Sequence, residues 1–160
     1  METHLHNGFD TPKIESRDLL GFEIGFGSKT LVSGDYYGIT EDVVAGTTVA
    51  FGDLLYLAVA DSRYELADAS AISTSGDVRL GICLEPGVDG SKIKILLYGK
   101  ISSTVFPTFT ISTPVYVSET SGDLTLTAPT TTDSVSRRVG FGITSTELFF
   151  NPSNDYITHG

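Results

Sequence analysis

The chain has no tryptophan, one cysteine, one methionine and few basic side chains, and each shortage excludes something. A lone cysteine, Cys83, rules out an internal disulfide and a cysteine-rich zinc cluster. It sits among Leu80, Ile82 and Leu84 and reads as a buried, inert thiol. Ten lysines and arginines against twenty acidic residues leave a net charge of −10. Such a surface repels phosphodiester backbones, so no direct nucleic-acid partner is expected. No apolar run approaches the roughly 20 residues of a helical membrane span, so no membrane partner is expected either. Met1–Gly8 lacks the basic-then-apolar layout of a secretory leader, and synthesis in a cytoplasm is the expectation.

Recognisable catalytic patterns are scarce as well. There is no Gly-x-Ser-x-Gly, and no histidine lies between His6 and His159 to act as a base. His4, His6 and His159 read as solvated terminal side chains rather than metal ligands. The aspartates Asp35, Asp53, Asp61, Asp89 and Asp123 fall in turns, where such side chains cap their own backbone. Gly25–Thr30 departs from a phosphate-binding loop, because Ser28 separates Gly27 from Lys29 and the β-prone Leu31-Val32 follows. No catalytic residue, metal or cofactor is therefore expected.

What the chain does have is an echo. Gly46–Leu57 is echoed by Pro107–Val117, with Tyr56 on Tyr116 and Leu66 on Leu126, sixty residues apart. Arg79-Leu80-Gly81-Ile82 then falls on Arg138-Val139-Gly140-Phe141 after a one-residue slip. Short strands are predicted at Tyr36–Ile39, Thr47–Ala50, Leu54–Val59, Tyr64–Leu66, Val78–Leu84 and Lys92–Tyr98, the last ended by Gly99 and Lys100. Further strands are predicted at Pro114–Ser118, Leu124–Leu126, Arg137–Thr144 and Glu147–Phe150. Ala69–Asp77 and Pro129–Ser136 read as loops and Asp155–Gly160 as an exposed tail.

Turn signals this frequent predict an all-β sandwich or barrel-like fold built from two tandem β units. The expected organisation is an N-terminal arm with first strands over 1–40, extended or briefly helical between Thr11 and Gly21. A duplicated β domain over 41–157 follows, with units at about 44–100 and 104–152, then a tail at 158–160. Apolar side chains of the arm, Leu5, Phe9, Ile14, Leu19, Leu20 and Phe22, are candidates for partner binding. Tyr36 and Tyr37 are candidates for glycan contact.

The order of phrases over about residues 40–157 resembles small β-rich structural proteins of tailed-bacteriophage virions, especially capsid decoration (cement) and head-fibre proteins. The resemblance is carried by Val44-Ala45-Gly46, Gly52-Asp53-Leu54-Leu55-Tyr56, Ala67-Asp68-Ala69, Gly99 and Val115-Tyr116-Val117-Ser118. It continues through Ser121-Gly122-Asp123-Leu124-Thr125, Ala128-Pro129, Arg138-Val139-Gly140 and Asn151-Pro152-Ser153. It implies a non-enzymatic virion protein that decorates and stabilises the outer capsid surface. Its implied partners are the major capsid protein and copies of itself, most naturally as a homotrimer, and it implies no catalytic residues. The same phrases occur in tail and fibre modules, so an adaptor or host-glycan-binding role is the alternative.

Overall fold

The computed structural model describes residues 30–160. The predicted arm, including Leu5, Phe9, Ile14, Leu19, Leu20 and Phe22, lies outside the described residues. The fold is all-β: a curled antiparallel sheet forms a half-barrel, and among the described residues helix is confined to one turn.

In chain order the elements are β1 (Tyr36–Val44), β2 (Leu54–Leu57), β3 (Tyr64–Leu66), α1 (Ile72–Ser75), β4 (Leu80–Cys83) and β5 (Lys92–Ser102). Then come β6 (Pro114–Val117), β7 (Leu124–Thr125), β8 (Val135–Ser136), β9 (Arg138–Gly142), β10 (Glu147–Phe150) and β11 (Ile157–Thr158). The main sheet runs β3-β2-β4-β5-β10-β9-β6-β7, with β1 laid along β5, while β8 and β11 form a separate ribbon. That order is a palindrome: β3, β2, β4, β5 on one side answer β7, β6, β9, β10 on the other.

The correspondence reaches individual hydrogen bonds. Ala58 N–H donates to Arg63 O (2.8 Å), and Ser118 N–H donates to Asp123 O (3.2 Å). Gly52 N–H reaches Cys83 O (2.9 Å), as Ser112 N–H reaches Gly142 O (2.8 Å). Cys83 and Gly142 return bonds to Asp53 O (2.8 Å) and Thr113 O (3.0 Å). Leu55 pairs with Gly81, and Val115 with Gly140. Even the left-handed positions recur, as Gly52 (φ 94°) against Ser112 (φ 63°) and Ser62 (φ 61°) against Gly122 (φ 82°).

β5 is where the halves join. β1 pairs with it from Lys92 to Ile101. A strand has two pairing edges, so β4, at Ile95–Leu96, and β10, at Gly99–Ser102, share the other edge in succession. A bulge at Leu97, where Ile39 faces Tyr98 but Thr40 faces Leu96, marks the changeover. Gly99 therefore does not end the strand, as the sequence suggests. It faces Gly38 across the ladder, and the missing side chains let the two backbones approach.

Strand β4, the start of β2 at Leu54-Leu55 and the Ile95-Leu96 step of β5 are buried on both faces. Leu54, Ile82 and Leu96 join a core shared with Val115, Val139, Leu148 and Phe150 from the second half. The alternating residues Leu55, Cys83 and Ile95 pack with Ala45, Val49, Tyr64 and Ile93 on the opposite face. Two-sided burial is why Leu54-Leu55, Ile82-Cys83 and Ile95-Leu96 are apolar at consecutive positions rather than alternating.

Other expectations are corrected. Thr47–Ala50 is not a strand, and only Val49 bridges, to Gly87. The Asp53 carboxylate accepts Ala50 N–H (2.8 Å) while Ala50 O accepts Asp53 N–H (3.2 Å), so the segment folds into its turn before it can pair further. The loop Ala69–Asp77 contains α1, and the loop Pro129–Ser136 ends in β8. β8 pairs with β11, so the tail, although largely exposed, is tied to the fold at Ile157–Thr158.

Arg137, between β8 and β9, is buried at 6% exposure. Its Nε donates to Ser153 O (2.8 Å) and its Nη1 to Ser75 O (3.1 Å), Val78 O (2.7 Å) and Gly76 O. One guanidinium thus satisfies carbonyls at the end of α1, ahead of β4 and near the C-terminus.

Candidate functional site

Two concavities stand out on the described surface, and both arise where the two halves differ. The first is a seam. In the first half, Gly46 N–H donates to Tyr64 O (2.9 Å) and Ala45 bridges Tyr64 in parallel, which sews β1 to β3. A side chain on Gly46 would push against the Glu65 carboxylate, which would have to swing aside. Sixty residues on, the same place holds Val105-Phe106-Pro107. Phe106 stands where Gly46 does, and Leu124, the counterpart of Tyr64, has no bridge to this segment among the described residues.

The unclosed seam is a cleft of about 340 Å³ between Val105–Pro107, Gly122–Leu124 and the turn Ala50–Asp53. Val105 is 73% exposed at its rim, and Phe106 packs on Phe109 with centroids 5.7 Å apart. Asp53 lies in the cleft with its carboxyl pushed above the usual range by desolvation. The Ala50 N–H opposes that shift and the Asp123 charge adds to it. Thr104 N–H donates to Ser33 Oγ (3.1 Å), and Leu31 N–H donates to the buried Glu147 carboxylate (2.9 Å).

The second concavity is a groove of about 560 Å³ between β6, β9 and the β8–β11 ribbon. Its lining includes Tyr116, Arg138, Ser153, Asp155, Tyr156 and His159. Tyr116 and Arg138 are cross-strand partners, and the register skips Val139 beside them. Residues 138 and 141 would face opposite sides of a regular strand. The bulge brings Arg138 round so that its guanidinium carbon lies 4.9 Å over the Phe141 ring. The ribbon supplies the other wall, because β11 holds Tyr156 and His159 beside Ser136.

Sequence reasoning missed this groove. Tyr116 was legible as a repeated tyrosine, but Arg138 enters through a bulge and Tyr156 and His159 through a pairing that leaves no pattern. Tyr36 and Tyr37 sit on β1, 38% and 48% exposed. Consecutive strand residues point to opposite faces, so the two do not build one stacking platform. Cys83 is fully buried, its thiol donates to Glu85 O, and burial pushes it up to about 11. His4, His6 and the stretch Gly25–Lys29 lie outside the described residues. Among the described residues no group of three or more histidine, cysteine or acidic side chains is placed to hold a metal ion. No described helix is long and apolar enough to cross a membrane.

No protein-family model matches the chain, and no curated protein matches it.

Proposed function

We propose that the chain is a non-enzymatic structural protein of a phage virion that decorates and stabilises the outer capsid surface. Its partners are then the major capsid protein and further copies of itself. The observation that supports this reading is the open seam. A partly apolar cleft rimmed by Val105 is left open there, next to Thr104, whose N–H is bound by Ser33. A docking surface of that size is weak in one copy and strong in an array, because many modest contacts on a fixed lattice act together. Self-association, as a trimer, would also cover sheet edges that otherwise invite uncontrolled pairing.

Electron cryomicroscopy of the particles that carry the chain tests the proposal. The expected result is this half-barrel repeated at symmetry-related positions over the head. Density confined to the tail or a single vertex would replace decoration with an adaptor role, and no density would end the virion reading.

The groove favours a second reading, a host-glycan-binding module of the same particle. Half-buried tyrosines beside hydroxyls and a cation form the kind of surface on which sugars stack and hydrogen-bond.

A further inference from the structure

We propose that the groove between β6, β9 and the β8–β11 ribbon binds an acidic saccharide, a sugar bearing a carboxylate, with Arg138 as the carboxylate's partner. The inference rests on the glycan-binding reading and names the ligand's chemistry.

Arg138 is the exception among the described arginines. Arg63 pairs with Asp89 (2.7 Å) and lies 3.8 Å from Asp61. Arg79 pairs with Glu41 (2.5 Å), and Arg137 is spent on backbone carbonyls. Among the described residues Arg138 has no carboxylate within ion-pair distance, in a chain of net charge −10. Its guanidinium carbon lies 4.9 Å over the Phe141 ring, a cation–π contact that engages no N–H donor in an ion pair. A planar guanidinium fits a carboxylate by two parallel hydrogen bonds.

The rest of the groove selects what carries that carboxylate. Tyr116 and Tyr156 are half-buried, so their rings are restrained and offer apolar faces with polar tips. Ser153 and Asp155 add a hydroxyl and a carboxylate suited to ring hydroxyls. The volume of about 560 Å³ suits one to three sugar rings. A polyanion with a phosphate on every unit would meet the protein's own negative field at every step. A sparsely charged sugar meets it at the one place where a cation is waiting.

The test is titration of ¹⁵N-labelled protein with sialyllactose, which bears one carboxylate, and, separately, with its neutral methyl ester. The expected result is saturable shifts at Arg138, Ser153 and Ile157, with the ester at least about tenfold weaker. Arg138→Gln should remove that preference and Arg138→Lys should keep part of it, both with unchanged thermal stability because the side chain is exposed. Tyr156→Ala should weaken both sugars alike. Equal binding of the two sugars would overturn the acidic inference and leave glycan binding standing, whereas binding of neither would overturn both. Acid preference surviving in Arg138→Gln would overturn the assignment to Arg138.

Discussion

Gly38 and Gly99 face each other across β1 and β5 with no room for a side chain on either. A Cβ on Gly38 would lie 2.0 Å from Tyr98 O, and one on Gly99 would lie 2.1 Å from Tyr37 O. The obstacles are backbone atoms, which have no rotamer to escape into. Gly99 also holds φ at 142°, where other residues are strained. Gly99→Ala should therefore cost about 2–4 kcal/mol, read as a lower urea midpoint at unchanged slope. Alanine at both positions should be no better than at one.

The paired left-handed positions offer a test with the opposite sign. Ser62 and Ser112 carry a β-carbon where their counterparts Gly122 and Gly52 carry none. Ser62→Gly and Ser112→Gly should each be neutral or stabilising by up to about 1 kcal/mol, relief of the left-handed conformation being partly offset by a freer unfolded chain. Gly122→Ser should lose more than that, because its Cβ would meet Leu66 at 2.9 Å. Thermal melts of the three variants rank them directly.

Arg137 serves several buried carbonyls at once, and desolvation pulls its pKa below the usual arginine value while leaving it charged at neutral pH. Removing it strands those acceptors. Arg137→Met should cost about 3–5 kcal/mol. Arg137→Lys should recover less than half, since a lysine's single nitrogen cannot span acceptors as far apart as Ser75 O and Ser153 O. Equilibrium denaturation of both variants measures the gap.

Asp53 should impose a pH dependence. Desolvation raises its folded-state pKa above the reference value of 3.8, so folding favours its protonated form. That contribution is fully present below the reference value and is lost as pH rises through the higher folded value. Asp53→Asn keeps an acceptor for Ala50 N–H and removes the titration. The variant's stability relative to the parent should therefore rise with pH above about 4 and level off by neutrality. Melting curves from pH 3 to pH 8 would show it, and a constant difference would sink it.

How much of this was legible depends on where the signal lies. Tyr64–Leu66 and Glu147–Phe150 are observed at their predicted limits, because each alternates or is strongly apolar between clear turns. The echo of Tyr56 in Tyr116 was readable because the equivalent residues keep similar neighbours, Glu65 and Thr125, across similar ladders. Gly99 misled because glycine at a strand end and glycine at a close approach look alike in one dimension. The β8–β11 ribbon was invisible, since Val135-Ser136 and Ile157-Thr158 are two-residue partners within polar stretches. The groove followed it out of sight, being made by that ribbon and by a bulge.

The sharing of β5 has a consequence for how the molecule comes apart. Its first part completes one half of the sheet and its second part begins the other. A protease cut in the loop after Ser102 would therefore not release two self-sufficient pieces. The N-terminal fragment would keep the strand on which β10 docks, and the C-terminal fragment would carry a sheet with its first strand missing. Such fragments have reason to find each other again, which makes this chain a natural candidate for a split protein that reassembles through complementation.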